Sequence, residues 1–216
     1  SWNKHRAGVD LKDDLMRGAE QFAAMRLSAA VIGHSSSSFI GGKGWDEAVV
    51  EMLSGILDAD TAVTTNGLDT LAALRASGVR RPFLVLPPWF NDKTIDAGLR
   101  YYAEHGLKPA EHLSYDPGPK WRDVAPGDLT RQGLGFAQEV EPLHAQIKAN
   151  CPATADGVLI AGTGFRCVAI LNALERDLKR PVLSANQTSL WHGLRLAGVA
   201  ARVSGEISGY GNLFKL

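Results

Sequence analysis

The 216-residue chain has only two cysteines, Cys151 and Cys167. Neither lies in a C-x-x-C pair or at the Cys/His spacing of a metal site, and the sequence therefore predicts no metal centre. We expect both thiols to be structural, because Cys151 follows a predicted helix and Cys167 falls in an apolar segment. Such sparse cysteine usage is typical of a protein in a reducing cytoplasm.

Long apolar runs and an excess of one charge are also missing. No stretch approaches the roughly 20 apolar residues that cross a bilayer, and the first residues, SWNKHRAGVDLKDD, lack the core of a signal peptide. Lysine plus arginine and aspartate plus glutamate number 23 each, so the chain carries no net charge. The sequence therefore predicts a cytoplasmic protein with neither nucleic acid nor a membrane as partner.

Short apolar runs alternate with amphipathic segments along most of the chain. Runs such as FLVLP and GVLIAG are typical of strands buried on both faces of a sheet. The predicted strands are Ser28–Gly33, Thr61–Thr65, Pro82–Leu86, Gly157–Ala161 and Pro181–Ser184, with weaker patterns at Leu107–Tyr115 and Ala200–Val203. The predicted helices are Asp10–Met25, Trp45–Leu57, Leu68–Ser77, Thr94–His105, Asp128–Asn150, Arg166–Leu178 and Thr188–Leu196. This alternation predicts parallel βαβ units in a doubly wound α/β fold.

The segment Ser114–Gly127 interrupts this alternation, with three prolines, two glycines and no periodicity. We expect it to connect two lobes or to form a flexible loop over a site.

The stretch VIGHSSSSFIGG, residues 31–42, follows the first predicted strand and favours two functions. Gly33-His34-Ser35 resembles the start of the G-x-S-x-G elbow of serine hydrolases, with Ser35 as nucleophile, although Ser37 stands where the elbow has its last glycine. Alternatively, backbone N–H groups and the hydroxyls of Ser35, Ser36 and Ser38 would hold a carboxylate. The serines could also do no more than form a turn.

A second loop, Gly162-Thr163-Gly164-Phe165-Arg166, follows a later predicted strand in the same way. The two loops would face each other at the carboxyl ends of their strands, where open α/β sheets bind ligands. Neither loop matches a P-loop or a dinucleotide fingerprint. Phe39, Trp89, Phe90 and Phe165 would supply an apolar wall to such a site, or would belong to the core.

The C-terminal third resembles the maleate cis-trans isomerase and arylmalonate decarboxylase branch of the Asp/Glu racemase superfamily. The resemblance lies in the GTGFRC loop from Gly162, the PVLSANQ strand and turn from Pro181, the LW pair at Leu190, and the closing GYG at Gly209. The first loop, HSSSSFIGG from His34, is similar to the branch's first catalytic loop, and PPW from Pro87 to its third. The resemblance runs from about Asp10 to Tyr210.

The resemblance implies an α/β fold of two Rossmann-like lobes, with parallel sheets, pseudo-two-fold symmetry and a site in the cleft between them. Lobe one would comprise residues 1–90 and 186–216, and lobe two residues 91–185. Members of this branch begin with a strand and an S-S-N loop, whereas the chain as given begins with a predicted helix. The resemblance further implies a homo-oligomer, a small carboxylate as substrate and no cofactor.

Three positions depart from the branch's pattern. The two cysteines that the resemblance implies are replaced by His34 and Gly162, and the usual tyrosine is Trp89. Imidazole titrates near neutral pH, so His34 is the candidate catalytic group. The candidate substrate-binding residues are Ser35, Ser36, Ser38, Trp89, Gly162, Thr163, Gly164, Phe165 and Asn186.

These residues predict a cofactor-independent lyase or isomerase for a small carboxylic or dicarboxylic acid, by decarboxylation, elimination, hydration or isomerisation next to a carboxylate. A single proton carrier favours one-base reactions over two-base racemisation, and the missing thiols disfavour a cysteine adduct. Two alternatives stay open: a carboxylate-binding protein that has lost catalysis, and a serine hydrolase that uses Ser35.

Overall fold

The computed structural model describes residues 13–203 and 205–216. Strands β1 to β6 span Ala29–Ile32, Ala62–Thr65, Pro82–Leu86, Glu111–Ser114, Gly157–Ile160 and Val182–Ser184. Helices α1 to α11 span Asp13–Ala23, Ser35–Gly41, Trp45–Ser54, Asn66–Ala76, Asp92–Glu104, Pro126–Leu129, Leu134–Ala137, Val140–Asn150, Leu171–Leu178, Ala185–Leu196 and Ala200–Val203. Short 3-10 turns lie at Pro119–Trp121, Val168–Ile170 and Leu213–Lys215. None of the helices in these ranges is long and apolar enough to cross a membrane.

All the strand pairs are parallel. β1 pairs with β2, with Ala29 opposite Ala62, and the other four strands form a sheet in the order β4-β3-β5-β6. These sheets confirm the predicted α/β class. The pseudo-two-fold symmetry and the lobe boundaries stay predictions, and β3, which precedes residue 90, pairs with β4 and β5.

The inner strands β3 and β5 of the four-stranded sheet are buried on both faces, which explains their uninterrupted apolar residues, whereas the edge strand β4 is largely exposed. One face, with Leu84 and Leu159, packs on α2, α4, α5 and α10 through a cluster that includes Phe39 and Trp191. The opposite face, with Val85 and Val158, packs against α8 and α9. Burial of this apolar surface is the main stabilising contribution to the fold.

Helices start directly at the carboxyl ends of strands because polar side chains cap them. The hydroxyl of Thr65, the last residue of β2, accepts from the N–H of Leu68 at the start of α4. Ser184, at the end of β6, forms a reciprocal capping box with Gln187 and starts α10. Such caps satisfy N–H groups that the first helical turn leaves unpaired. As a result, the loops that follow the strands are short and fixed in position.

Several predicted elements differ from the structure. Ala200–Val203, a weak strand pattern, is helical. The predicted helix Asp128–Asn150 is divided into α6, α7 and α8, because Gly133 has a left-handed φ of 86° and Gln138 is extended. The predicted helix Arg166–Leu178 becomes helical only at the 3-10 turn Val168–Ile170. The start of the predicted helix Asp10–Met25 lies outside the described residues.

The serine-rich stretch also differs from the prediction, since Ser35–Gly41 forms the helix α2 instead of an open loop. Phe39 anchors α2 in the core at 3% exposure and contacts the rings of Tyr101 and Tyr102 on α5. The segment Ser114–Gly127 is irregular except for its 3-10 turn and the start of α6.

Candidate active site

A cavity of about 430 Å³ opens at the carboxyl ends of β1, β3 and β5. This is the position at which parallel α/β sheets bind ligands. Its lining residues come from the segments that follow those strands, from α5 and from the α6–α7 region: His34, Ser35, Ser36, Ile40, Trp89, Phe90, Thr94, Thr130, Gly135, Gly162, Thr163 and Gly164.

The structure brings most of the predicted site residues to this cavity: His34, Ser35, Ser36, Trp89, Gly162, Thr163 and Gly164. It does not bring the other three. Ser38 is fully buried and donates its hydroxyl proton to Asp46 at 2.7 Å. Phe165 packs in the core against Trp89, with ring centroids 5.6 Å apart. Asn186 lies beside the late loop and donates from Nδ2 to the carbonyl of Thr163 at 2.9 Å, so it supports the loop.

Sequence reasoning missed part of the lining. Ile40, 59% exposed, lies one helical turn after Ser36 and therefore on the same side of α2. Its position could have been found if residues 35–41 had been predicted as a helix. The sequence left open whether Phe39 and Phe90 line the site or belong to the hydrophobic core. Phe90 lines the cavity, whereas Phe39 is in the core. Thr130 and Gly135 carry no sequence signal that links them to the site.

His34 is the only titratable side chain among the described residues that line the cavity. It is the residue before α2 and has an extended backbone, with φ of −145°. Its Nδ1 lies 2.7 Å from the hydroxyl of Ser37, which fixes the plane of the ring. Partial burial of the ring lowers the pKa of His34 from 6.5, since removal from water disfavours the charged form.

Gly162 follows β5 by two residues and, like His34, lines the cavity. Its φ is +94°, and a Cβ built there would come within 2.8 Å of the Cγ of Pro87. Only glycine adopts this conformation without strain. The backbone conformation and Pro87 together therefore disfavour the cysteine that the resemblance implied at this position.

The two loops that flank the cavity are joined directly. The Thr163 hydroxyl donates to the carbonyl oxygen of Gly33 at 2.9 Å. Ser35, on the opposite loop, donates its hydroxyl proton to Oδ1 of Asn66 at 2.6 Å. The predicted hydroxyl donors Ser35 and Thr163 therefore direct their protons into the protein.

The loop after β5 supplies backbone donors instead. Phe165 donates its N–H to the carbonyl of Gly162, which closes a turn. The N–H groups of Thr163 and Gly164 donate to no backbone acceptor among the described residues. Because both residues line the cavity, these two groups can hold an anion there.

The geometry around Ser35 does not suit a nucleophile. Its hydroxyl donates to the amide oxygen of Asn66, which cannot take up a proton as a base would. His34 bonds Ser37 instead, and Lys179 is the only non-glycine residue with positive φ in the described ranges. The strained turn of a nucleophile elbow is therefore not formed at Ser35.

Neither cysteine lines the cavity. Cys167 is buried, and burial raises the pKa of its thiol to about 12. Cys151 is half-buried beside Arg180 at the opposite end of β5, and burial raises the pKa of its thiol as well. Burial therefore favours the protonated thiol form of both cysteines, and neither side chain is among the described residues that line the cavity. Within the ranges that the structure describes, no cluster of His, Cys, Asp and Glu could hold a metal ion.

Comparison with known proteins gives one family and a shared fold. The family model described as arylmalonate decarboxylase matches residues 6–214, while curated protein sequences give no match. The structure of unliganded arylmalonate decarboxylase has a TM-score of 0.73 and 23% identity, over 94% of this chain and 81% of that one.

Two isomerase structures are similar as well. The maleate isomerase Iso from Pseudomonas putida S16 has a TM-score of 0.78 and 18% identity, over 93% of this chain and 75% of that one. The maleate cis-trans isomerase from Nocardia farcinica has a TM-score of 0.77 and 15% identity, over 93% and 76%. At these identities the likeness to the solved structures establishes the fold.

Proposed function

The chain belongs to the arylmalonate decarboxylase family, and on this premise we propose that it is a cofactor-independent lyase that decarboxylates a small substituted malonate. One observation carries the proposal: His34 is the only titratable side chain among the described residues that line the 430 Å³ cavity. Decarboxylation needs a single proton transfer to carbon, and one imidazole can perform it.

The substrate's retained carboxylate would be held by backbone N–H groups. Thr163, Gly164 and Ser36 all line the cavity, and the N–H groups of Thr163 and Gly164 donate to no backbone acceptor among the described residues. No lysine or arginine is present among the described lining residues. Fixed N–H dipoles stabilise negative charge that develops on an enediolate, and in a site of low dielectric this is a large catalytic contribution.

The leaving carboxylate would lie against an apolar surface. Ile40, Trp89 and Phe90 are the large apolar side chains of the lining. A carboxylate placed there loses hydration, whereas the neutral CO₂ that it becomes does not need it. Contact with these apolar side chains would therefore favour loss of the carboxylate as CO₂.

The proposed reaction has two steps. First, the bond between the α-carbon and the leaving carboxylate breaks, CO₂ departs, and the electron pair stays on the substrate as an enediolate. Second, the imidazolium of His34 donates a proton to the α-carbon, and solvent then reprotonates the ring. The described lining residues include a single titratable group and no thiol. They therefore support this one-proton reaction better than racemisation or a cysteine adduct.

A turnover panel tests the proposal. The native chain would be incubated with substituted malonates, maleate and 2-hydroxy acids in the presence of EDTA, and CO₂ and product followed by NMR. We expect decarboxylation of a substituted malonate. His34→Gln should reduce kcat at least about a hundredfold, with the dissociation constant changed less than about threefold.

His112→Gln serves as the matched control, because His112 is exposed on β4 and outside the cavity. It should leave kcat unchanged. Equal turnover by the native chain and His34→Gln would overturn the proposal. Binding of a malonate without turnover by the native chain would instead identify a carboxylate-binding protein that has lost catalysis.

A further inference from the structure

The polarity of the hydroxyl groups in the cavity determines what they can recognise. Ser35 donates its only hydroxyl proton to Asn66, and Thr163 donates its only one to the carbonyl of Gly33. A serine or threonine hydroxyl has one proton and two lone pairs. Toward a ligand, the oxygens of Ser35 and Thr163 can therefore act only as acceptors.

The orientation of the Asn66 amide fixes the polarity at Ser35. Nδ2 of Asn66 lies 2.8 Å from the carbonyl oxygen of Ala185 and 2.9 Å from the hydroxyl of Ser189. A carbonyl can only accept, and Ser189 donates its own proton to Asp69 at 2.7 Å. The NH₂ group must therefore face Ala185 and Ser189, which leaves the amide oxygen toward Ser35.

Other hydroxyl oxygens of the lining are likewise left as hydrogen-bond acceptors toward a ligand. Gly33 offers only a carbonyl to Thr163, so the direction of that bond is not reversible. Thr94, also in the lining, donates its hydroxyl proton to Asn91 at 3.1 Å. A bare dicarboxylate would place carboxylate lone pairs against the lone pairs of these oxygens, which is unfavourable without a proton between them.

The absence of carboxylates from the described lining restricts the kind of hydrogen-bond donor that a ligand can bring to these oxygens. No aspartate or glutamate lines the cavity in the described ranges, so an ammonium group would be desolvated there without a counter-charge. A neutral hydroxyl carries no such cost and can donate to Ser35 or Thr163.

We propose that the cavity selects a carboxylic acid with a hydroxyl group on the carbon next to its carboxylate. This inference rests on the proposed function, because it assigns a substrate class to the same site. The carboxylate lies on the N–H groups of Thr163 and Gly164, and the hydroxyl donates to the oxygen of Ser35 or Thr163. Both residues thereby determine specificity as acceptors.

Three ligands of similar size test this inference on the native chain by calorimetry: 2-hydroxymalonate, 2-fluoromalonate and 2-methylmalonate. Hydroxyl can donate, fluorine can only accept, and methyl can do neither. We expect 2-hydroxymalonate to bind about tenfold more tightly than either of the other two, the effect of one added hydrogen bond.

Variants locate the acceptor. Thr163→Val removes the oxygen with little change of shape, and Ser35→Ala removes the other oxygen. Each should reduce the preference for the hydroxyl ligand, and the double variant should abolish it. Thr163→Ser, the matched control, keeps the oxygen and should retain the preference. Circular dichroism shows which variants fold, and either single variant suffices if the other does not.

The outcomes separate the two proposals. Equal binding of the fluoro and hydroxyl ligands, or a preference that survives in both folded single variants, would overturn the inference. The expected order of binding with no turnover of any malonate would overturn the proposed function and leave the inference standing. No binding by any of the three ligands would overturn both.

Discussion

His34 is the one imidazole among the described lining residues, and turnover by the proposed mechanism therefore depends on the ionisation of its ring. Donation of a proton to carbon requires the imidazolium form of His34, whose pKa is lowered from 6.5 by partial burial. The active form is therefore complete at low pH and is lost as pH rises through a value below 6.5.

We accordingly expect kcat/KM for decarboxylation to fall with rising pH, with a midpoint below 6.5, because kcat/KM reports the free enzyme. The bound carboxylates favour the imidazolium, so the midpoint of kcat should lie at higher pH. Initial rates between about pH 5 and pH 8 check this prediction. A profile that rises with pH would assign His34 the role of a base.

A cysteine at position 162, which the family resemblance implied, should destabilise the protein. Gly162→Cys forces a side chain into a φ of +94° and against Pro87. We expect the free energy of unfolding to fall by roughly 2 to 4 kcal/mol, from backbone strain together with overpacking. Urea denaturation measures the change.

Gly164→Cys is the matched control two residues along the same loop. A Cβ at Gly164 would have its nearest neighbour, Cζ2 of Trp89, at 3.5 Å, which is an ordinary contact. Gly164→Cys should lower the free energy of unfolding by less than about 1 kcal/mol. Equal stability of the two variants would show that Pro87 and the loop move to accommodate a side chain at position 162.

At the level of elements, the site depends on how α4 and α10 pack together. Asp69 on α4 is fully buried and accepts hydrogen bonds from Thr64, from Ser189 and from Nδ1 of His192. Ser189 in turn contacts Asn66, the partner of Ser35. A buried carboxylate thus holds the two helices in the register that positions a hydroxyl of the cavity.

We expect Asp69→Asn to lower the free energy of unfolding by about 3 kcal/mol, since the amide presents an NH₂ group to hydrogen-bond donors. Asp177→Asn is the control, because Asp177 forms a surface pair with Lys148 at 2.9 Å. Asp177→Asn should lower the free energy of unfolding much less than Asp69→Asn does, because solvent screens an exposed ion pair. Similar losses in both variants would show that the buried network contributes no more than a surface ion pair.

The sequence predicts some elements better than others, for physical reasons. FLVLP and GVLIAG become β3 and β5 because strands buried on both faces need uninterrupted apolar residues. The helix α2 was not predicted, since a run of serines favours turns over helices. Burial of Phe39 and the bond from Ser38 to Asp46 stabilise it, and these contacts depend on tertiary structure.

The same distinction applies to the site. A strand followed by small polar residues predicted which segments meet at the cavity. The direction in which each hydroxyl donates could not be predicted, because Ser35 pairs with an amide 31 residues away and Thr163 with a carbonyl 130 residues away. Sequence pattern predicts which groups are near a ligand, and only tertiary contacts determine whether they donate or accept.

Across the whole molecule, one core joins the four-stranded sheet to the C-terminal segment. Phe214 is 7% exposed and belongs to the same apolar cluster as Leu84 of β3 and Trp191 of α10. Glu175 supports this segment by accepting from the N–H and the side chain of Asn212. The end of the chain therefore contributes to the core beneath the site.

Phe214→Ala should lower the free energy of unfolding by about 3 kcal/mol or more, from lost burial and the cavity that remains. Phe136→Ala, the matched control, removes a ring that is 91% exposed on α7 and should change stability by less than about 0.5 kcal/mol. Denaturant titration of both variants checks the prediction. Equal stabilities would exclude Phe214 from the cooperative core.

The most direct test of His34 as the sole proton carrier follows where the proton arrives. A malonate with two different α-substituents would be decarboxylated in D₂O by the native chain, and the product analysed by chiral chromatography and mass spectrometry. Delivery by one imidazole from one side of the cavity predicts a single enantiomer with one deuterium. A racemic, deuterated product would show that water protonates the enediolate and would contradict the assignment of His34.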